Sequence, residues 1–320
     1  MGEQEFRAAL PYMRRMTARA LDRRCPTGEC VPAAPERGRA CAFWLHRASS
    51  EGARPLVVEL HGGGFATGDA RKGDVLRAWV RDSFDVHVMG IDYRLAPENP
   101  YPAALDDVAA CIAAVLAAPG LAVDRDRIYL LGYSAGATLA AAYALRAQAT
   151  GEAAPAGLAL HYPCLDLGEV PAPDQVREDD LPVDKMAAFS EWYAGGANFA
   201  DPLVSPLCAT DAQIAALPKT VLCPVAGDAL FAQARLFHDR MATLGAEVVW
   251  APARGVYHGF IEDAADLATY EAITMSQTLE SRPAGFAQET ERVLRASLIE
   301  LLGAPVANIP FPDTRKDIRS

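Results

Sequence analysis

Ile128-Tyr129-Leu130-Leu131-Gly132-Tyr133-Ser134-Ala135-Gly136 leads from four apolar residues through a turn with glycine on either side of a serine into an alanine-rich stretch. The apolar run predicts a buried strand and the alanines a helix, so Ser134 falls on a strand-to-helix turn. Glycines flanking the serine let the chain make a strained turn. That turn lifts the hydroxyl above the sheet edge and aims the next backbone N–H, that of Ala135, at an oxyanion developing in front of it. The spacing alone is a weak signal, because a tight turn closed by a helix-capping serine has the same letters. The strand before it and the helix after it favour a nucleophile.

Outward from this turn, short apolar runs alternate with helical segments. Strands are predicted at 40–45, 56–60, 86–91, 128–131, 158–162, 221–225 and 248–250, and helices near 72–83, 103–118, 135–149, 229–244 and 286–302. This alternation predicts an α/β fold, a mostly parallel central sheet flanked by helices on both faces, with sites at the carboxyl ends of the strands. Residues 165–215 break the rhythm with prolines, an acidic cluster at Glu178, Asp179 and Asp180, and a helical stretch ending in Trp192 and Tyr193. They read as an inserted helical cap. Phe6, Leu10, Met13, Ala20 and Leu21 have the spacing of an amphipathic helix kinked around Pro11. A linker rich in proline and glycine follows, from Cys25 to Gly38.

With 320 residues, 51% of them hydrophobic, the chain can bury a large core. No stretch approaches the roughly 18 uninterrupted apolar residues of a membrane helix, and the arginine-rich amino terminus has no hydrophobic signal core, which predicts a soluble cytoplasmic protein. A net charge of -11 repels nucleic acid and anionic membranes, so neither is expected as a partner and a neutral or cationic small molecule fits better. The seven cysteines are scattered. Cys25 and Cys30 lie close together but lack the spacing of a metal site, so free thiols are expected and neither metal nor cofactor.

The predicted strand 56–60 ends in His61-Gly62-Gly63-Gly64-Phe65, whose glycines let backbone N–H groups approach a substrate with no side chain between. Gly63 and Gly64, with Ala135, are candidate oxyanion donors, each worth about 3 to 4 kcal/mol at a transition state. A serine hydroxyl also needs a base, and the base an orienting carboxylate. Of six histidines, His258 alone sits on a loop after the last strand, in the order nucleophile, acid, histidine. His61 belongs to the glycine loop, His46, His87 and His161 read as packing residues near strands, and His238 falls within a helix. For the acid, Asp228 follows the predicted strand 221–225; Asp239 is mid-helix, and Asp201 and Asp211 lie in the cap region. Helix capping is the plainer role open to Asp228.

Taken together, His61-Gly62-Gly63-Gly64, Asp92-Tyr93-Arg94-Leu95-Ala96-Pro97-Glu98, the serine turn and His258-Gly259-Phe260 resemble the hormone-sensitive-lipase-like esterases, bacterial family IV of the α/β-hydrolases. The resemblance covers residues 40–262. It implies an α/β-hydrolase fold, a triad of Ser134, Asp228 and His258, oxyanion donors Gly63, Gly64 and Ala135, and a brace for the glycine loop from residues 92–98. It also implies a cap made of the amino-terminal helix and residues 165–215. Three departures stand out: Tyr133 beside the nucleophile where Asp or Thr is common, Ala229, Ala232 and Gln233 after the acid where proline and acidic residues are usual, and about 20 extra residues at 262–283. The expected organisation is a cap helix and linker in 1–38, the first part of the core in 39–164, the cap insertion in 165–215, the second part of the core in 216–303 with its insertion, and a tail at 304–320.

The activity implied is cleavage of small, short-acyl carboxylic esters through an acyl-enzyme, with Phe65, Tyr133, Trp192 and Tyr193 contacting the substrate. Amide or aryl formamide hydrolysis by the same triad is an alternative, as are acyl transfer to a nonaqueous acceptor and a non-catalytic ligand-binding homologue. The insertion, with Leu267, Tyr270, Ile273 and Met275 as an apolar set, is open to three roles: lid, internal packing, or contact with a partner in a homodimer.

Overall fold

Alternate residues of the central strands enter opposite sides of one sheet, and both sides are covered. In β3 (Arg54–Leu60), Leu56, Val58 and Leu60 join one buried apolar cluster while Val57 joins the other, as a strand sandwiched between helices requires. The computed structural model describes residues 3–22, 27–33, 41–169, 183–265 and 285–312. Its eight strands lie in the order β1-β2-β4-β3-β5-β6-β7-β8. β1 (Glu29–Pro32) and β2 (Ala42–His46) are antiparallel to their neighbours; β4 (His87–Asp92), β3, β5 (Val123–Tyr133), β6 (Gly157–His161), β7 (Lys219–Cys223) and β8 (Val248–Trp250) run parallel. This is the architecture that the alternating pattern predicts.

One face carries α3 (Ala103–Ala117), α4 (Ala135–Thr150) and α7 (Phe231–Thr243). The other carries α2 (Asp74–Phe84), α8 (Phe260–Ala265) and α9 (Phe286–Leu302). The small residues of α4 let this helix sit tight on the sheet, and Ala137, Ala140, Ala141 and Ala142 are fully buried. α1 (Glu3–Leu21) runs through Pro11 as one helix and lays Phe6 against Phe189 and Trp192 of α5 (Val183–Ala194), with ring centroids 5.4 and 5.6 Å apart. A short α6 (Asp211–Ala215) precedes β7. No described helix is long and apolar enough to cross a membrane.

β1 and α8 are elements that the sequence pattern did not announce, and β5 starts five residues before the predicted 128–131 run. Cys25, the acidic cluster at 178–180 and the apolar set at 267–275 lie outside the described residues. Of the 262–283 insertion only 262–265 are described, and they complete α8.

Candidate active site

Ser134 links the end of β5 to the start of α4, with φ 50° and ψ −116°. A positive φ at a residue with a side chain costs roughly 1 to 3 kcal/mol and needs surrounding structure to hold it. The Ser134 N–H donates to His161 O at 3.0 Å, and the Ala137 N–H donates to Ser134 O at 2.9 Å. The flanking glycines do something other than relax the turn. A Cβ at Gly132 would lie 2.4 Å from Gly136 O, and one at Gly136 would lie 2.1 Å from Leu60 O. Glycine is therefore required so that the first turn of α4 can press against β5 and the end of β3, while the serine itself bears the strained dihedral.

Three loops at the carboxyl ends of strands converge on this serine. His258, between β8 and α8, places Nε2 2.9 Å from Ser134 Oγ and Nδ1 2.7 Å from Asp228 Oδ2. A carboxylate only accepts, so Nδ1 carries the proton and Nε2 is left to accept from the serine hydroxyl. Asp228 follows β7, is buried, and receives the Leu230 N–H on Oδ1 at 3.0 Å, so both its oxygens are engaged. That second contact is a local Asx turn and not a helix cap, since α7 starts after Leu230 with no side-chain cap bond, so the plainer capping role does not apply. Tyr162, itself at φ 39°, sets its ring edge-on to the His258 ring at 5.0 Å and limits how far the imidazole can swing. The other histidines lie elsewhere: His46 pairs with Asp74 at 3.0 Å, His87 accepts the Ala48 N–H, His161 is buried in β6, and His238 pairs with Asp239 on α7.

The glycine loop after β3 faces Ser134 from the opposite side. Gly64, Ala135 and Ser134 line the same cavity, with Gly63 one residue behind. Ala135 opens α4, so its N–H has no carbonyl partner within the helix and is available to an oxyanion. Burial pushes His61 down to about 4, so it is neutral at pH 7, and its Nδ1–H donates to Gly62 O at 2.7 Å. The Asp92–Glu98 run does brace this loop. Tyr93 Oη donates to His61 O at 2.7 Å, the Ala96 N–H to Phe65 O at 2.9 Å, and Arg94 is held by the buried Asp107 at 2.8 Å. From α1, Arg14 adds a bond to Ala66 O at 2.8 Å and an ion pair to Glu98.

The cavity above the serine holds about 590 Å³, including its open mouth. Phe65 lines it, and Tyr193 stacks behind Phe65 at 3.8 Å between ring centroids. Trp192 and Tyr193 do not line it themselves; Met186, Phe189 and Ser190, a turn earlier on α5, face the cavity instead. Nor does Tyr133, whose ring lines a separate chamber with Glu59, His61, Lys72 and Glu262. The sequence marks Gln233 as a departure but assigns it no role. Its Oε1 accepts the Leu165 and Asp166 N–H groups at 3.0 and 3.1 Å and its Nε2 donates to Asp166 O and Glu169 O, which pins the loop leading to cavity residue Glu169. A glutamine where the resemblance leads one to expect an acid was the available signal.

A twisted parallel sheet with a strained serine after one strand, an aspartate after another and a histidine on the last loop is the arrangement of the acyl-transferring serine enzymes of the α/β type. The chain belongs to the α/β-hydrolase fold family, whose model matches residues 57–262. It is 33% identical to esterase LipI of Mycobacterium tuberculosis over 224 residues, 68% of this chain and 69% of that protein. It is also 33% identical to human hormone-sensitive lipase over 167 residues, 49% of this chain and 15% of the lipase. Among solved structures, the thermostable carboxylesterase EstE1, cloned from a metagenomic library, superimposes with a TM-score of 0.69 at 28% identity over 87% of this chain and 99% of EstE1.

Proposed function

We propose that the chain is a carboxylic ester hydrolase acting on small, short-acyl esters through an acyl-enzyme. The observation that carries this reading is the unbroken line of hydrogen bonds from Asp228 through His258 to Ser134 at the floor of a largely apolar cavity. Ser134 Oγ attacks the ester carbonyl as His258 Nε2 takes its proton. The carbonyl oxygen becomes an oxyanion facing the N–H groups of Gly63, Gly64 and Ala135, where removal of one donor typically costs about 2.7 to 4 kcal/mol. His258 then hands the proton to the leaving alcohol, and a water repeats the sequence on the acyl-enzyme. Asp228 holds the imidazole in the tautomer that makes Nε2 the base. α1 and α5 serve as the cap over the acyl side, with Phe65, Phe189 and Met186 shaping it. The esterase names of its relatives support the same activity. Free Cys30, Cys41, Cys111, Cys164, Cys208 and Cys223 fit a reducing, cytoplasmic compartment.

A panel of p-nitrophenyl esters from acetate to decanoate, run beside an aryl formamide, tests the proposal. Turnover of the short esters with little formamide hydrolysis supports it; faster formamide than ester cleavage overturns the ester assignment. Light scattering on the same sample separates a monomer from a homodimer.

A further inference from the structure

Gly62, the first glycine of the oxyanion loop, gives its N–H to Oε1 of Glu262 at 2.8 Å, across 200 residues of chain. Glu262 lies in α8, four residues after His258, and the Asp263 N–H bonds to Gly259 O at 3.1 Å. The loop that carries the histidine and the helix that carries the glutamate are therefore one local unit. The glycine loop is shaped to meet this carboxyl: a Cβ at Gly62 would sit 2.6 Å from Glu262 Oε2 and 3.0 Å from Tyr133 O. The φ of Gly62 is not positive, so backbone freedom is not what glycine supplies there; a Cβ would push the Glu262 carboxyl off the Gly62 N–H and crowd Tyr133 O. Glu262 also lines a chamber of about 300 Å³, including its open part, apart from the cavity that holds Ser134.

We infer that Glu262 is a positioning residue: its carboxylate ties the His61–Gly64 loop to the turn bearing His258, so that the oxyanion donors and the general base are held as one unit. The inference rests on the triad reading above. Its chemical reason is alignment, since a misplacement of about 1 Å between reacting groups can cost on the order of 10²-fold in rate. An N–H bonded to a carboxylate is held roughly twice as strongly as one bonded to a neutral oxygen.

Ionisation of this carboxyl falls in the working range. Burial pushes it up to about 7, against the Gly62 N–H and the positive charge of Lys72, with Asp263 pushing the same way as burial and His258 opposing. Among the other groups around the chamber, Glu59 is ion-paired with Arg77 and His61 is neutral. Tyr93, Tyr133 and Tyr162 are kept as phenols by burial. As pH falls through about 7, Glu262 gains a proton and its hold on Gly62 weakens. The acid limb of kcat therefore carries a partial step near pH 7 from Glu262, in addition to the loss of the general base.

Glu262→Gln tests this, because it keeps the shape and an acceptor oxygen but cannot ionise. First, a fluorophosphonate must label Ser134 in the wild-type enzyme; failure there overturns the triad reading and not this inference alone. With labelling established, Glu262→Gln is expected to lower kcat on p-nitrophenyl acetate about tenfold at pH 8, the difference between a charged and a neutral hydrogen bond. KM should stay within about twofold, and the roughly tenfold step near pH 7 should be missing from the acid limb. Unchanged kcat and an unchanged acid limb overturn the inference, as does a lowered Tm with wild-type kcat. Should the variant not fold, the wild-type profile alone decides: an acid limb with no step near pH 7 beyond a single one-proton fall overturns the coupling.

Discussion

The imidazole of His258 and the hydroxyl of Ser134, 124 residues apart in the chain, meet at 2.9 Å between Nε2 and Oγ. We predict that Ser134→Ala lowers kcat by at least about 10³-fold while leaving the fold intact, because alanine keeps the backbone and removes only the nucleophile. The check is p-nitrophenyl acetate turnover with circular dichroism on the same sample. Retention of a hundredth of the wild-type rate, with the phosphonate on some other serine, would refute the nucleophile.

Asp228 uses one oxygen on His258 and the other on the Leu230 N–H. Asp228→Asn can keep the second contact but presents an amide that favours the wrong imidazole tautomer, so we predict a fall in kcat of about 10⁴. Asp239→Asn is the control: Asp239 lies on α7 paired with Arg235 and His238, and its loss should leave kcat within about twofold. Exchanged phenotypes would show that a different carboxylate orients the base.

Phe189 projects from α5 so closely onto the oxyanion loop that a Cβ at Gly64 would lie 2.2 Å from its ring. The ring, with Phe65 and Met186, narrows the cavity. We predict poor turnover of acyl chains beyond about eight carbons, relieved in Phe189→Ala. Two further buried methylenes would raise the decanoate-to-acetate ratio of kcat/KM about tenfold. Phe189 also packs against Phe6 and Trp192, so the milder Phe189→Leu guards against loss of the fold. A ratio unchanged in both variants would place the acyl chain elsewhere.

His161 is wholly buried in β6, and burial pushes it down to about 3. An unfolded histidine titrates near 6.5. Between those values the unfolded chain holds the extra proton, so this residue's contribution to stability is complete above about pH 6.5 and is lost as pH falls towards 3. We predict that the stability advantage of wild type over His161→Gln shrinks by about 1.4 kcal/mol per pH unit between pH 6.5 and 4.5. Urea unfolding at several pH values measures it, and a constant gap would mean that His161 is protonated in the folded protein.

The inner parallel strands were legible because their apolar runs are buried on both faces, and β8, partly buried at the sheet edge, still reads as a short apolar run. β1 was not, since Glu29-Cys30-Val31-Pro32 is a largely exposed edge strand with no apolar face to betray it. α8 was hidden because it begins two residues after His258 and runs on into the start of the insertion. Tyr133 looked like a substrate contact by adjacency to Ser134, yet neighbouring residues at the end of a strand point to opposite faces, and its ring went to the other side. On α5, Trp192 and Tyr193 have the bulk but lie a turn further along the helix, and Met186 and Phe189 are the side chains that reach the cavity.

Local chemistry and chain order determined the α/β architecture, the strained turn at Ser134, and Asp228 and His258 as its candidate partners. Each of those rests on periodicity or on residues within a few positions of one another. Tertiary structure alone decided which side chains wall the cavity, that Gln233 clamps the loop before Glu169, and that Glu262 reaches Gly62. Those contacts join segments up to 200 residues apart. Whether two such groups meet depends on the summed geometry of the sheet and helices between them, and no local pattern encodes it.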